Sequence, residues 1–549
     1  MRRTGPSGTA PALARRLAGL AILAVLAGSA QARGHAADDT AAVIQAIVEA
    51  GRHPWLRLPE FALDHPQVQT LYAARAFAPL WVEGREPTAN AYSAIAALGA
   101  AAARGLSPAD YDAAPLAAAA QRLASGEQDS EAVGEFDAAL TIATTRYAAH
   151  AFGGRIQPRA VHRAYDMGPK ALDLPNFVRE LAASAEPDGP RRLLTALDPP
   201  FPEFAGLTAA LARYRELARD GVPEVPVLPK LRPLDTDAGV PALRARLAAL
   251  GDLPAHTGTP ATSPLYDTTL VSAVRRFQRR HGLAPDGVIG QATLAALRAP
   301  LAERVGQIEL AMERLRWLPS SWPRRFIFVN IPEFRLRGFE TGASGPPLSM
   351  NIVVGDSASA QKYRTPVLQA DMTHVIFRPY WLVPPRIARE ELFPAIESDP
   401  NYLARHHMEV VDGRIRQLPG RNNSLGLVKF IFPNPYHVYL HDTPKKALFA
   451  RARRDFSHGC IRVADPVALA SFVLTDTPGW DRNRIEQAMR EGRDNRRVDL
   501  ATPVPVYLFY TTVIIDQDGE ANFFSDIYGH DATLRRQLGE DAVNGRAIR

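Results

Sequence analysis

The apolar and polar positions first mark out a long helical region. Over residues 39–221, apolar residues recur at helical spacing among Ala, Leu, Glu and Arg, which predicts helices throughout. The longest such pattern runs from Glu131 to Phe152 and ends at Gly153-Gly154. Aromatic residues such as Tyr72 and Trp81 are predicted to be core residues, since large aromatic side chains usually bury.

Two shorter segments follow this helical region. Residues 222–236 include VPEVPVLPKLRP, whose prolines predict a stiff, extended linker. Residues 237–300 then show three short helical patterns, with a turn signal at Pro285-Asp286-Gly287. This pattern predicts a small three-helix domain.

The pattern becomes β-like over residues 325–535. The runs at 326–331, 349–354 and 504–510 are rich in β-branched and aromatic residues, and Pro505 suggests an edge strand or a strand start. Residues 386–424 interrupt the pattern with a helical stretch and polar turns, which predicts a lid inserted over an active site. The fold class is therefore predicted to be α+β, with several domains.

The N-terminus reads as a targeting segment. A basic start is followed by an apolar run of signal-peptide length over 17–28 and by Ala30-Gln31-Ala32, which has the form of a cleavage site. We expect residues 1–32 to be a signal peptide and the protein to be exported. An uncleaved membrane anchor remains the alternative, so membrane contact is expected only if this segment is retained.

Composition and charge narrow the possible partners. The net charge of +6 and the pI of about 9.4 suit an anionic partner such as a bacterial cell wall. No dense Lys/Arg patch interleaves with aromatic residues, so nucleic acid is not expected as a partner. The chain has a single cysteine, Cys460, which in an exported protein has no internal disulfide partner.

The surroundings of that cysteine suggest chemistry. A thiol becomes a strong nucleophile when a nearby imidazole takes its proton, and His441 and His458 are close in sequence. Gly459 permits a tight turn that presents the thiol and directs backbone N–H groups at a substrate oxyanion. Nucleophile, base and oxyanion site are thus expected from one local unit.

This segment resembles the catalytic domain of L,D-transpeptidases. The family pattern of a His, a spacer and Ser/Thr-His-Gly-Cys with a following Arg or Asn is complete in His441 and Ser457–Arg462. The resemblance implies that Cys460 is the nucleophile and that His441 is the proton donor and acceptor. The neighbouring residues are implied to shape the turn, position substrate or line the oxyanion side: His458, Gly459, Ser457, Tyr439 and Arg462, the last either holding a substrate carboxylate or bracing the loop.

The resemblance covers nearly all of the chain after the signal segment. Residues 237–300 resemble a three-helix peptidoglycan-binding domain, and the whole resembles the large Gram-negative members with a helical scaffold domain, a binding-type domain and a lid-bearing, mainly-β catalytic domain. The segments that carry this wider resemblance are Tyr72–Trp81, Thr365-Pro366, Pro379–Pro384, Lys429–Pro435 and Asp526–Gly529. One position departs from the family pattern: the pattern leads us to expect Asn before the Pro-aromatic run, and this sequence has Arg378 there.

The resemblance implies a periplasmic enzyme that forms 3→3 peptidoglycan cross-links through a cysteine thioester, without a cofactor, and that carbapenems acylate. Its substrates would be a donor tetrapeptide stem and an acceptor stem, and other cell-wall synthases are possible partners. Water as acceptor would instead give an L,D-carboxypeptidase, and a lipoprotein lysine would give an anchoring transpeptidase. Two further alternatives are a zinc site on His441, His458 and Cys460 and a non-catalytic wall-binding scaffold.

Overall fold

The computed structural model describes residues 39–544 except 128, 169, 187, 255–258, 343–346 and 360–361. The predicted signal segment, residues 1–32, lies outside the described residues. Within the described part of the chain, no helix combines the length and the apolar character needed to cross a bilayer.

Residues 39–221, called the helical region, form helices over most of their length, as the spacing of their apolar residues predicts. Besides its helices it holds a small hairpin, β1 (Val82–Glu83) and β2 (Glu86–Pro87), and two 3₁₀ turns, Ala100–Arg104 and Pro108–Tyr111. Its helices are α1 (residues 39–50), α2 (His65–Ala73), α3 (Ala89–Gly99), α4 (Ala113–Ala124), α5 (Ser130–Gly153), α6 (Pro158–Val161), α7 (Leu174–Ala182), α8 (Gly189–Thr195) and α9 (Pro202–Asp220).

A buried carboxylate anchors the start of this region. Asp137 on α5 accepts hydrogen bonds from the Tyr72 hydroxyl (2.6 Å) and from the backbone N–H groups of Leu80 and Trp81. Burial raises the pKa of Asp137 to about 6, although these hydrogen bonds oppose the rise. Tyr72 and Trp81 are fully buried, so these aromatic residues are core residues, as predicted.

The helical region divides between two hydrophobic cores. Buried apolar residues of 44–151 and 174–194, on α1–α5, α7, α8 and their loops, form one core. Those of 156–167 and 201–214 instead pack in the core of the C-terminal β domain, where α9 lies against α13 (Leu301–Leu315). Because the last part of the region shares a core with the β domain, helices and sheet are fixed to each other by apolar packing.

The three-helix domain consists of α10 (Val240–Ala249), α11 (Thr268–Arg280) and α12 (Gln291–Arg298). The preceding Pro-rich segment is extended, as its prolines predict. It is not a free spacer, because Val225, Leu228 and Leu231 are buried in the core of this domain. Leu231 also forms a β-bridge with Ile289.

The β domain is built on a nine-stranded sheet. Its strands are β3 (Arg325–Asn330), β4 (Arg335–Glu340), β5 (Leu348–Gly355), β6 (Leu368–Phe377), β10 (Val428–Ile431), β11 (Leu440–His441), β12 (Asp455–Ser457), β13 (Ile461–Val463) and β14 (Arg496–Phe509). The three strands numbered between β6 and β10 form a separate small sheet in and just before the lid insertion. The order is β12-β5-β13-β11-β10-β6-β14-β3-β4, and β4 also pairs with β5, so eight strands close into a ring. Outside the ring lie α17 (Pro466–Val473), α18 (Arg482–Arg490), the hairpin β15 (Val513–Ile515) and β16 (Ala521–Phe523), and α19 (His530–Asn544).

The expectation that Pro505 marks an edge or a strand start is wrong. β14 lies between β6 and β3, in the interior of the sheet. Pro505 pairs with Asp371 of β6 after a register shift between Asp499 and Val504, and pairing with β3 begins only at Val506. The proline therefore lies where β14 is paired on one side alone, which removes less of the ladder than a position paired on both sides. The α+β, multidomain fold class is confirmed.

The lid insertion (residues 386–424) leaves the sheet after β6 and returns at β10. With the residues just before it, the insertion contains β7 (Trp381–Leu382), α14 (Pro385–Ile387), a π-helical turn (Ala388–Leu392), α15 (Phe393–Ser398), α16 (Tyr402–Arg405), β8 (Met408–Val411) and β9 (Arg414–Gln417). It has its own small core, which includes Val383, Leu392 and Ile415. The insertion is therefore a folded subdomain rather than an irregular loop.

Candidate active site

Neighbouring strands bring the candidate residues onto one face of the sheet. β11 runs parallel to β13, so His441 lies beside Arg462, and Tyr439 lies beside Cys460 just before the ladder begins. On the other side of β11, Lys429 pairs with His441. Paired residues, and residues two apart on a strand, point to the same face, so all five side chains share it.

The turn before Cys460 is held by its own residues. Gly459 has φ +110°, in the region that favours glycine, as the tight turn before the thiol requires. Ser457 is buried; its hydroxyl donates to the carbonyl of Cys460 (2.5 Å) and accepts from the N–H of Gly459 (3.2 Å). Ser457 therefore braces the nucleophile turn, residues 457–460, instead of facing substrate.

The turn leaves backbone donors for an oxyanion. The N–H of Gly459 is taken by Ser457, whereas the N–H groups of His458 and Cys460 donate to no residue in the described part of the chain. Backbone N–H groups held in a rigid turn stabilise a developing oxyanion without reorganisation. The turn can therefore supply the expected oxyanion site through the N–H groups of His458 and Cys460, the two neighbours of Gly459.

His441 is buried, and its ring is fixed by a backbone oxygen. Its Nδ1 lies 2.5 Å from the carbonyl of Asp442, which assigns the proton to Nδ1 and leaves Nε2 as an acceptor. Burial lowers the pKa of His441 to about 3, and the positive charges of Arg462 and Lys429 add to this effect. The ring is therefore neutral at pH 7 and able to accept a proton.

Asp442 orients His441 by its backbone and not by its carboxylate. The carboxylate accepts hydrogen bonds from the Leu427 N–H (2.9 Å) and from Lys446 (2.6 Å), on the other side of the strand. Because strand side chains alternate between the two faces, the Asp442 carboxylate lies on the face opposite the imidazole of His441.

Cys460 is half-buried, and its thiol is protonated at rest. Burial raises the pKa of the Cys460 thiol to about 11. Hydrogen bonds from Tyr439 and the charges of Lys429 and Arg462 favour the thiolate but do not offset burial. The Sγ atom lies 3.9 Å from the carbonyl of His437. The candidate nucleophile, Cys460, and the candidate base, His441, are thus both neutral in the free protein.

Arg462 faces the site without a carboxylate partner. No carboxylate in the described part of the chain lies within ion-pair distance of its guanidinium, and its buried Nε lacks a hydrogen-bond partner. Burial lowers its pKa, while its interaction with Cys460 acts in the opposite direction. Of the two roles left open for Arg462, holding an anionic group of substrate fits this geometry better than bracing the loop by an ion pair.

His458 points away from His441 and contacts the lid insertion. Its Nε2 lies 2.6 Å from Glu391, and its ring meets the edge of Tyr363 at 4.5 Å. The neighbouring Glu390 pairs with Lys362 and accepts from the Tyr363 hydroxyl. These contacts hold the lid insertion against the nucleophile turn.

The zinc alternative requires His441, His458 and Cys460 to converge on one ion. Across the described ranges, no three His, Cys, Asp or Glu side chains come together in an arrangement suited to a metal. With His458 bonded to Glu391 and His441 bonded to Asp442, the structure gives this alternative no donor cluster.

Sequence reasoning missed the residues that support the nucleophile turn from behind. The hydroxyl of Thr365 donates to the carbonyl of Gly459 (2.9 Å) and accepts from the N–H of Gly355 (2.9 Å). The hydroxyl of Tyr528 donates to the carbonyl of Gly355 (2.7 Å) and accepts from the N–H of Thr365 (3.2 Å). The segments that contain Thr365 and Tyr528 stand out in the sequence only through the family resemblance. Thr365 lies 94 positions from Gly459 and Tyr528 lies 173 positions from Gly355, so no local pattern signals these contacts.

Replacing Thr365 with Val is expected to slow acylation of Cys460. Valine has the same shape but leaves the Gly355 N–H and the Gly459 carbonyl unpaired in a buried site, a loss of about 1–3 kcal/mol. We expect kcat for acylation to fall about tenfold, with little change in KM, because the turn and not the substrate contact is disturbed. Thr365→Ser keeps the hydroxyl and serves as the matched control; equal loss in both variants would contradict the bracing role.

The contacts of Arg378 explain how an arginine occupies a position where the family resemblance leads us to expect Asn. It has φ +46°, a left-handed conformation that Asn adopts more readily than Arg. Its guanidinium pairs with Asp494 (2.7 Å) and donates to the carbonyl of Arg490 (3.1 Å). These contacts hold the strained position at the start of the lid connection, away from the thiol.

Comparison with known families assigns the three parts of the chain. Residues 66–211 match a family model described as "Scaffold domain", residues 236–297 one described as "Putative peptidoglycan binding domain", and residues 324–499 one described as "L,D-transpeptidase catalytic domain".

Two curated proteins are similar to parts of the chain. A "Putative L,D-transpeptidase" of Haemophilus influenzae is 32% identical over 249 residues, 41% of this chain and 48% of the relative. The "N-acetylmuramoyl-L-alanine amidase CwlM" of Mycobacterium tuberculosis is 42% identical over 73 residues, 12% of this chain and 18% of that protein. The chain thus matches about half the length of the first relative and a short part of the second.

Proposed function

The chain carries an L,D-transpeptidase catalytic domain, a peptidoglycan-binding domain and a scaffold domain, and from this premise we propose that it forms 3→3 peptidoglycan cross-links in the periplasm. The observation that carries the proposal is one sheet face that presents Cys460, a neutral His441 and an unpaired Arg462 side by side. A nucleophile, a base and an anion-binding group are what acyl transfer from a carboxylate-bearing peptide requires.

The first step transfers an acyl group to sulfur. The Cys460 thiol gives its proton to Nε2 of His441 as Sγ attacks the carbonyl carbon between the third residue of a donor tetrapeptide stem and its terminal D-Ala. The C–S bond forms, the C–N bond breaks, and the proton on His441 passes to the departing D-Ala amine. The oxyanion of the tetrahedral intermediate lies at the N–H groups of the nucleophile turn.

The second step transfers the acyl group to an amine. The side-chain amine of diaminopimelate in an acceptor stem attacks the thioester, and His441 takes a proton from that amine. The new C–N bond forms, the C–S bond breaks, and the proton returns to Cys460. Two easier steps replace one amide exchange, and His441 serves as base and acid in each.

The lid insertion supports transfer to an amine over transfer to water. It is a folded subdomain, and its Glu391 is bonded to His458 inside the nucleophile turn. A closed lid excludes water from a reactive thioester during its lifetime. The L,D-carboxypeptidase and the lipoprotein-anchoring reactions use the same first step and become outcomes of the test.

The test follows both steps by mass. Purified protein is incubated with a disaccharide-tetrapeptide, and intact-protein mass spectrometry with peptide mapping looks for an acyl adduct on Cys460. Mass spectrometry of the released muropeptides then identifies the product. A 3→3 dimer supports the proposal; a tripeptide alone indicates hydrolysis, and an unmodified Cys460 with no product refutes the proposal.

A further inference from the structure

An interdomain groove runs from the helical region toward the nucleophile. Two adjoining cavities, of about 660 and 630 Å³, share Arg159, Tyr165 and Asp166 as lining residues. The wall on the other side is the start of β6 and the loop 433–436. The backbone N–H of Gln369 donates to the carbonyl of Asp166 (2.9 Å), which fixes the two walls together. Clefts between domains are common ligand sites.

The groove carries cations without partners. Arg159 and Arg163 are exposed on its rim, and in the described ranges neither lies within ion-pair distance of a carboxylate. Arg159 uses only its Nε, which donates to the carbonyl of Tyr165 (3.0 Å). Two guanidinium groups that line one cavity and have no carboxylate partner in the described ranges suit a ligand with carboxylates, which a guanidinium can bind in bidentate fashion.

The groove also carries carboxylates and a buried donor. Asp166 and Asp371 line the outer cavity and suit an amine on the same ligand. Trp317 is 4% exposed and lines the inner cavity, and its indole N–H has no acceptor in the described part of the chain. A side chain on Gly154 would place its Cβ 2.7 Å from that nitrogen, so glycine keeps the N–H uncovered. A buried unpaired donor favours a ligand with amide or carboxylate oxygens.

Loop 433–437 connects the groove with Cys460. Tyr436 lines the outer cavity, and the next residue, His437, has its carbonyl 3.9 Å from the sulfur of Cys460. The nucleophile turn is held to the lid insertion by His458 and Glu391. A second peptide that attacks a thioester must reach the sulfur while the first peptide is still bound to it.

We propose that the interdomain groove binds the acceptor substrate of the proposed cross-linking reaction, a peptide stem with free carboxylates and a side-chain amine. Arg159 and Arg163 hold its carboxylates, Asp166 and Asp371 attract its amine, and loop 433–437 leads that amine to the thioester. The proposal rests on the proposed function, and it makes the helical region part of the substrate site.

The test separates the acceptor step from the donor step. A double variant, Arg159→Glu with Arg163→Glu, reverses the charge of the groove rim. A matched control, Arg484→Glu with Arg493→Glu, makes the same charge change at exposed arginines of the β domain. Single-turnover acylation of Cys460 by a disaccharide-tetrapeptide is measured first, and dimer formation is then measured against increasing acceptor concentration.

We expect the groove variant to acylate within about twofold of the unchanged protein and to raise the acceptor KM at least tenfold. The control variant should change neither step. An unchanged acceptor KM, or an equal loss in acylation, would overturn the proposal. The milder pair Arg159→Gln with Arg163→Gln should give an intermediate KM, which excludes misfolding as the cause.

A binding measurement distinguishes failure of this inference from failure of the proposed function. Fluorescence anisotropy follows a labelled disaccharide-tetrapeptide, with free or amidated carboxylates, on the Cys460→Ala protein. If amidation weakens binding, and if this difference disappears in the groove variant, the groove binds the carboxylates of the ligand. This result supports the proposed acceptor site even without turnover. If Cys460 carries an acyl adduct but substitution of Arg159 and Arg163 leaves the affinity unchanged, the proposed acceptor site is refuted. The proposed function is then unaffected.

Discussion

Cys460→Ala is expected to abolish both acylation and cross-link formation. The chain has no other cysteine that could form the thioester. Removal of a nucleophile that forms a covalent intermediate lowers turnover by at least about 10⁴-fold, with only background rates left. Intact-protein mass spectrometry after exposure to a disaccharide-tetrapeptide, and separately to a carbapenem, measures the result.

The variant should keep its fold, which makes the loss interpretable. Cys460 is half-buried, and its sulfur makes a long contact with the carbonyl of His437 and hydrogen bonds with Tyr439, none of which joins elements that other contacts leave apart. Its thermal unfolding midpoint should therefore stay close to that of the unchanged protein. An acyl adduct on any other residue, formed at the original rate, would disprove the role of Cys460.

His441→Gln is expected to lower the rate of acylation about 10²–10⁴-fold, the usual contribution of a general base. With the pKa of the Cys460 thiol at about 11, only about 10⁻⁴ of the thiol is ionised at pH 7 without help. His441, with its pKa lowered to about 3, stays neutral and able to accept the proton across the whole neutral range. Gln keeps a polar side chain of similar reach but accepts no proton.

The pH dependence distinguishes a base from a merely structural histidine. Acylation by the unchanged protein should vary little between pH 5 and 9, because neither the thiol nor the imidazole titrates there. In His441→Gln, acylation should rise about tenfold per pH unit toward pH 11, as thiolate forms without a base. Stopped-flow acylation at a series of pH values measures both, and a flat profile in the variant would argue against His441 as the base.

The local sequence was sufficient for the nucleophile turn. Ser457, Gly459 and Cys460 are adjacent in the chain, and the requirement for a positive φ at Gly459 follows from a tight turn alone. The helices of the 237–300 domain were likewise visible as helical periodicity, and the main strands were visible as runs of β-branched and aromatic residues.

The supports of the site could not be found in this way. Thr365 and Tyr528 meet Gly355 and Gly459 only because the closed sheet and the C-terminal segment bring distant parts of the chain together. His458 looked like a second imidazole for the thiol, and its contact with Glu391 depends on where the lid insertion folds back. Pro505 misled for a similar reason, because only the tertiary pairing shows that β14 lies inside the sheet and that β3 joins it one residue after the proline.

The sequence by itself determined the chemical groups of this protein and the order of its elements. The lone cysteine after Gly459, the histidine at a strand end, the helical periodicity and the β-branched runs are properties of neighbouring residues. Tertiary structure decided the ionisation state of Cys460 and His441, the free guanidinium of Arg462 and the groove against the helical region. The physical reason is that burial, charge and shape at a site are set by residues far apart in the chain, and only packing places those residues around it.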